Sequence, residues 1–329
     1  MEHIFVLNPA AGKGDIKSLQ QRIQAAADRR GIPYCFHTTQ GPGEGERFVR
    51  CRAGQGDPVR FYACGGDGTL YEMLNGCYGF PNAQLAVVPV GSGNDFIRSF
   101  TGGEAFLDLD AQLAGEPVLL DVIGWNHRYA MNLCNIGWDC DICRRTNRLK
   151  TLPLMNGEGA YLLAVGFSMF CRFGKQLRLT FPDGETYEDR MVLTAIGNGS
   201  WYGGGFRAAP RAVLNDGLLE VSAVSGVNRL QIASLIQHYK AGRHLDLPAF
   251  QPFLHYRRAR QVTIESSSPF EVCTDGEISQ VERVTFTAQA PIPFLLPRGA
   301  GLARVEKQSS FSQQEPSFES FAAAAVKQG

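Results

Sequence analysis

A β-prone run that breaks on glycines and resumes at helical spacing leaves a chain few options, and residues 59–75 follow that plan. Val59-Arg60-Phe61-Tyr62-Ala63 is apolar and β-prone. Cys64-Gly65-Gly66-Asp67-Gly68-Thr69-Leu70 follows, and Leu70-Tyr71-Glu72-Met73-Leu74-Asn75 then carries apolar residues at helical spacing. The stretch reads as strand, glycine turn and helix. Gly65, Gly66 and Gly68 allow close approach of the backbone to a ligand and positive φ where needed. The helix N-terminus behind the turn offers N–H groups and a positive dipole end, which suit phosphate. Asp67 stands inside this donor-rich turn. A carboxylate there repels phosphate unless it holds a metal ion or a proton-donating hydroxyl, a first sign of metal-assisted phosphoryl chemistry. The plainer alternative is a tight turn in a generic α/β protein.

The unit recurs twice. Residues 4–7 form a short apolar strand leading into Asn8-Pro9-Ala10-Ala11-Gly12-Lys13-Gly14, and a helix follows with Ile16, Leu19, Ile23, Ala26 and Ala27 on one face. Asp15 can cap that helix and Gly31 can end it. The loop is not a Walker A loop, because Gly14 is not followed by Lys-Ser/Thr. Lys13 is its candidate phosphate contact, or else a solvated loop lysine. Residues 33–39 read as a strand ending in Thr38-Thr39, and residues 46–53 as a helix. A third strand, 84–90, runs into Gly91-Ser92-Gly93-Asn94-Asp95-Phe96-Ile97-Arg98. Asp95 suits a Mg²⁺ ligand, a contact that positions an acceptor hydroxyl, or the N-cap of a helix over 96–100, and these roles are compatible. Alternating strands and helices predict a mostly parallel sheet covered on both faces, with the glycine loops gathered at the carboxyl ends of the strands.

From Val118 the texture changes to β-rich. Residues 118–125 and 127–133 alternate like a hairpin around Trp125-Asn126-His127. Arg144, Arg145, Arg148 and Lys150 make a basic segment expected to be mobile, and 157–171 reads as a buried helix. Strands at 176–181 and 190–196 flank the turn signal Pro182-Asp183-Gly184. The segment from Gly197 to Phe206 and that from Ala209 to Val221 follow. An amphipathic helix covers 228–242, with strands at 260–265, 270–273 and 281–288. Thr274-Asp275-Gly276-Glu277 lies between the last two, where Asp-Gly alone signals a hairpin turn. From Lys307 the composition turns to Ser, Gln, Glu and Ala, as in a disordered tail.

The chain has 329 residues, 44% hydrophobic and 19% charged, enough for one large or two ordinary domains. Lys+Arg and Asp+Glu both number 32, so nothing global points to nucleic acid. The opening residues lead straight into a strand without the charged and apolar regions of a signal peptide, and no apolar run is long enough to span a bilayer. A cytoplasmic protein is expected. The nine cysteines fit reduced thiols, and Cys140-Asp141-Ile142-Cys143 has zinc-like spacing without a second pair, which favours structural or incidental cysteines. The six histidines do not cluster with a Ser or Cys partner.

Gly65-Gly66-Asp67-Gly68-Thr69 resembles the signature shared by diacylglycerol kinases, sphingosine kinases, NAD kinases and, more distantly, phosphofructokinases. Asn8–Gly14 resembles the first nucleotide loop of the diacylglycerol kinase family. Pro89 to Arg98 resembles the second signature of these lipid kinases, with Ser92 where the family usually has Thr. The segments 197–206 and 209–221 resemble the second domain of bacterial lipid kinases. The likeness spans about 4–298.

It implies an ATP- and Mg²⁺-dependent kinase that phosphorylates the hydroxyl of a membrane lipid, most readily diacylglycerol. The implied fold is a nucleotide-binding α/β domain (1–120 plus about 290–303) and a β-rich sandwich for the lipid (121–289), with the active site in the cleft between and a tail over 304–329. Nucleotide contacts carry over to Asn8, Gly12, Lys13, Thr38, Gly65, Gly66, Asp67, Gly68, Thr69, Gly91, Ser92 and Asn94. The catalytic set carries over to Asp67, Asp95, Asp275 and Glu277. Glu277 is the preferred base with Asp275 orienting it, though either carboxylate suits. Asp216 carries over as a structural Mg²⁺ ligand with the carbonyls of Val213 and Leu218. The implied surroundings are the inner membrane surface, touched from one side, with Arg144–Lys150 and Arg257-Arg258-Ala259-Arg260 suited to anionic headgroups. Trp201, Tyr202, Phe206 and Met169 are candidates to line a lipid channel. The resemblance leaves room for a homodimer, for sphingoid, other glycerolipid or prenol acceptors, for an NAD kinase, and for a non-catalytic homologue.

Overall fold

The computed structural model describes residues 1–12, 15–91, 93–149, 163–164 and 174–303. The expectations for Lys13, Ser92, Lys150, Met169, the tail 304–329 and the 157–171 helix, Leu163 and Ala164 apart, lie outside the described residues.

The first domain runs β1 (Glu2–Leu7), α1 (Ile16–Arg30), β2 (Tyr34–Thr38), α2 (Glu44–Ala53), β3 (Val59–Gly65), α3 (Asp67–Cys77) and β4 (Ala83–Pro89). All neighbouring pairs in the order β4-β3-β1-β2 are parallel. Side chains alternate across the strands, so two cores form. Phe5, Leu7, Tyr62 and Val88 pack with Leu19, Ile23, Ala26 and Ala27 of α1. Ile4, Val6, Phe61 and Leu85 pack with Val49 of α2 and Met73 and Leu74 of α3 on the other face. Burial on both faces explains why these strands read as apolar runs. Asp15 caps α1 by accepting the Ser18 N–H at 3.0 Å, and Gly31 ends it at φ 63°.

Short elements β5 (Phe100–Thr101) and α4 (Leu109–Leu113) lead to β6 (Glu116–Trp125), β7 (Arg128–Ala130), β8 (Leu133–Gly137) and α5 (Trp138–Leu149). Then follow β9 (Lys175–Thr180), β10 (Thr186–Gly197), β11 (Leu219–Ser225), a helix over Arg229–Lys240, β12 (Leu254–Ala259), β13 (Gln261–Thr274), β14 (Glu277–Leu296) and β15 (Gly301–Leu302). Antiparallel pairing dominates here, around a core that includes Ile123, Leu179, Ile196, Val221, Val262 and Phe286. The turn expected at Trp125-Asn126-His127 is Asn126 and His127 alone, both at positive φ, because Trp125 pairs with Arg128.

Three expectations change. The strands at 260–265 and 270–273 are one strand, β13, with a register shift between Glu265 and Phe270. The strand at 281–288 runs on into the segment of about 290–303 expected to belong to the first domain, as the 20-residue β14. β14 pairs with β13 in the second domain and in parallel with β4 at Phe294 in the first, and it shifts register against β6 between Gln289 and Ile292, where Pro291 lies. The basic segment begins as helix α5 rather than a mobile loop. Arg144 there pairs with Asp141 at 3.0 Å and with Glu271 at 3.1 Å. Arg257 pairs with Asp183 and Glu185, and Arg258 with Asp216, so these charges are already committed within the fold.

Candidate active site

Parallel strands deliver their following loops to one edge, and here the loops interlock through missing side chains. A Cβ on Gly12, which sits at φ 64°, would lie 2.0 Å from the Val90 carbonyl oxygen. A Cβ on Gly91 would lie 2.5 Å from the Gly66 Cα. The Gly65 carbonyl accepts the N–H groups of Val90 at 3.0 Å and Gly91 at 3.2 Å. Asn8 donates to the Thr69 hydroxyl at 2.9 Å, and Asn94, at φ 49°, donates to the Gly91 carbonyl at 2.8 Å. None of Gly65, Gly66 and Gly68 takes positive φ, contrary to one use expected for them; Gly65 leaves room for the Thr69 side chain of the following helix, and the Gly66 backbone abuts Gly91. Thr38 is exposed at the end of β2, beside Thr39, whose N–H bonds the Leu7 carbonyl at 2.9 Å.

α3 begins at Asp67, so Asp67, Gly68 and Thr69 form its first turn behind Gly66. Asp67 accepts the N–H groups of Asp95 at 3.0 Å and Phe96 at 3.1 Å. It therefore serves the start of the short 3₁₀ helix Phe96–Ser99 from another segment. Asp95 makes no capping bond with its own side chain, contrary to the N-cap role expected for it. Asp95 instead turns toward the second domain and accepts the Gly204 N–H at 2.7 Å, with the Arg98 guanidinium at 3.3 Å. Gly203, Gly204 and Gly205, at φ 59°, 78° and 118°, form the turn that presents this N–H. Burial pushes the Asp95 pKa up to about 6, and the Asp67 charge adds to it against the Gly204 bond and Arg98.

Asp275 and Gly276, both at positive φ, are the two-residue turn joining β13 to β14. The Asp275 carboxylate accepts the N–H groups of Leu133 at 2.8 Å, Met131 at 3.1 Å and, more weakly, Asn132 at 3.4 Å. Burial pushes its pKa up to about 7; Asp67 adds to this while the three N–H groups oppose it. The Asp67 charge thus raises the pKa of both Asp95 and Asp275, which links the glycine loops to the second domain. Glu277 is exposed on the other side of the same turn.

Sequence reasoning missed the residues that close the seam. Asn132 donates to the Trp201 carbonyl at 2.6 Å, and its own carbonyl accepts from Asn198 and Gly199. The Ser99 hydroxyl accepts the Ser200 N–H at 3.0 Å. No spacing marks these residues, because their partners are remote in sequence. Burial also pushes the pKa of Asp139 up to about 7, and sequence reasoning assigned this residue no role.

Asp216 holds Arg258 in a salt bridge and accepts the Leu218 N–H at 3.1 Å, while Asp121 beneath it accepts the Gly217 N–H at 2.6 Å. Among the described residues no three acidic, His or Cys side chains gather as a metal site. The Asp216 carboxylate, expected as a structural Mg²⁺ ligand with the Val213 and Leu218 carbonyls, is here engaged by Arg258 and the Leu218 N–H.

Residues 2–123 match the family model described as the diacylglycerol kinase catalytic domain, and residues 132–292 match the YegS C-terminal NAD kinase beta sandwich-like domain. A protein of Chromohalobacter salexigens named "Probable lipid kinase YegS-like" is 32% identical over 71% of this chain and 74% of its own. A diacylglycerol kinase of Staphylococcus carnosus is 27% identical over 83% of this chain and 87% of its own. The crystal structure of a diacylglycerol kinase from Bacillus anthracis superposes with a TM-score of 0.65 at 22% identity, over 89% of this chain and 96% of that one, which shows a shared fold.

Proposed function

Because the chain belongs to the diacylglycerol kinase and YegS-like family of lipid kinases, we propose that it transfers the γ-phosphoryl group of ATP to the hydroxyl of a membrane lipid, diacylglycerol first. The observation that carries this reading is the meeting of Asp67, Asp95 and Asp275 at the seam between the glycine loops and the second domain. Phosphoryl transfer needs positioning and charge neutralisation more than covalent participation.

The loops at Asn8–Gly12, Gly65–Thr69 and Gly91–Asn94 hold the phosphates with backbone N–H groups, helped by the start of α3 and, in the undescribed positions, by Lys13 and Ser92. Three carboxylates against the Arg98 guanidinium leave an excess of negative charge. That excess suits a Mg²⁺ ion carried in with the nucleotide, which would offset charge on the γ-phosphoryl group. Asp275 fixes its turn through three N–H groups, and exposed Glu277 beside it takes the proton of the acceptor hydroxyl. Diacylglycerol leads the acceptors because the staphylococcal relatives carry that name. The enzyme reaches it from one side of the inner membrane; among the described residues no helix is long and apolar enough to cross.

The test is the full chain with labelled ATP, Mg²⁺, and vesicles containing diacylglycerol, a sphingoid base or a prenol, with NAD as a soluble acceptor. Label in phosphatidic acid is the expected result. Label in NAD with none in any lipid, or no transfer at all, would overturn the proposal.

A further inference from the structure

Three cysteines remote from the phosphate loops come together behind the Asp275 turn. Cys140 and Cys143 lie three apart on α5, which packs against β13. Cys273 is the penultimate residue of β13, two before Asp275. The Cys273 thiol donates to the Cys143 sulfur at 3.5 Å, and the Cys143 thiol donates to the Gly276 carbonyl at 3.8 Å. Cys140 also hydrogen-bonds Cys273. Cys140 and Cys273 are buried, whereas Cys143 is part-exposed. One thiol of the cluster is thus open to a small reagent, and its neighbour is already in contact. The three do not gather as a metal site.

We propose that Cys143 and Cys273 are a hydroperoxide-oxidised dithiol that controls the Asp275–Glu277 turn. The Cys143 thiolate attacks a peroxide oxygen; the O–O bond breaks, hydroxide leaves, and Cys143 becomes a sulfenic acid. The Cys273 sulfur then attacks the Cys143 sulfur, its proton leaves with the departing hydroxyl as water, and the disulfide forms. Two thiols lose two electrons in all, and one peroxide is reduced to water and hydroxide, the latter neutralised by the proton Cys143 gave up. A disulfide requires an S–S distance of about 2.05 Å. Closing the gap from 3.5 Å draws α5 and the end of β13 together, and it removes the thiol hydrogen from the Gly276 carbonyl. The turn that carries Asp275 and Glu277 moves with it, and a displacement of about 1 Å can cost on the order of a hundredfold in rate.

The effect on turnover rests on the proposed kinase reading, but the chemistry does not. The full chain is treated with hydrogen peroxide, and its disulfides are mapped by alkylation and peptide mass spectrometry. In parallel, transfer to diacylglycerol vesicles is measured before and after adding dithiothreitol. The expected outcome is a Cys143–Cys273 disulfide in the wild type, at least a tenfold loss of activity, and its recovery on reduction. Cys143→Ser should keep basal activity, lack the disulfide and resist peroxide; Cys143→Ala, lacking any donor, separates loss of the Gly276 bond from loss of oxidation. A disulfide between any other cysteines, no disulfide under peroxide, or thiols protected by stoichiometric zinc that a chelator removes would overturn the assignment. A mapped Cys143–Cys273 disulfide with unchanged turnover would overturn the control of the turn. If the protein transfers phosphate to no lipid, disulfide mapping still decides the site, and the failure belongs to the kinase reading.

Discussion

The Gly66 loop and the Asp275 turn stand close enough for Asp67 to raise the pKa of Asp275, yet different forces fix them. The loop is held sterically. No Cβ fits on Gly91 against the Gly66 backbone, or on Gly12 against the Val90 carbonyl. The turn is held by polar contacts, three N–H groups on one carboxylate. Steric locks fail all at once because a blocked backbone has nowhere to relax, whereas polar locks weaken bond by bond. Substitutions on the two sides should therefore differ in kind.

The largest effect is expected at Gly91→Val. Its Cβ would strike the Gly66 Cα, so the Gly66 and Gly91 loops must part, at about 1–3 kcal/mol of overpacking. Turnover should fall more than a hundredfold, with a lower Tm. Normal turnover would show that the interlock is not needed.

Asp67→Asn comes next. It keeps the shape but weakens acceptance from Asp95 and Phe96 and removes a charge from the site. A loss of about a hundredfold or more in kcat is expected, with only about 1 kcal/mol of stability, since the cap is one contact among many. Stability loss without kinetic loss would reduce Asp67 to a cap.

A comparison within the turn sharpens the contrast. Glu277→Gln should cost tenfold or more in kcat and leave Tm unchanged, because Glu277 is exposed. Asp275→Asn should lower both, because an amide cannot accept three N–H groups as a carboxylate does. The reverse pattern would make Asp275 the base.

The smallest effect lies away from the cleft. Buried Glu220 accepts the Arg211 N–H at 2.8 Å, and burial pushes its pKa up from 4.5 to about 8. With the folded value above the unfolded one, the native state holds the proton longer. Stability is therefore highest below pH 4.5 with respect to this group, and falls as pH rises toward 8. Glu220→Gln should raise Tm by a few degrees at pH 8 and by little at pH 4. Equal shifts at both would deny the linkage.

The same contrast explains what the chain discloses before folding. A steric lock is written in glycines, so the three loops of the first domain, the Asp15 cap and the Gly31 stop can be read in order along the chain. A polar lock between distant segments leaves no mark at either end. Asn132 on the Trp201 carbonyl, Ser99 on the Ser200 N–H and Gly204 on Asp95 depend on packing that no local spacing encodes. Asp95 shows the limit within a motif. Its position fits an N-cap, but its carboxylate turns to Gly204, and Asp67, 28 residues earlier, takes the N–H groups of Asp95 and Phe96 at the start of that helix. Arg144, Arg257 and Arg258 show it for charge, since a basic cluster in sequence became ion pairs once acidic strands were placed beside it.

β14 has a mechanical consequence. At 20 residues and roughly 3.3 Å per residue, it extends for about 66 Å, with one end bonded to β13 and the other beside β4. A strand shared in this way cannot let one half melt while the other stands, because detaching either set of neighbours frays the common edge. The two halves should give one calorimetric transition, and any rocking of one half against the other has to coil the strand itself, as a torsion bar yields, rather than turn on a loose joint.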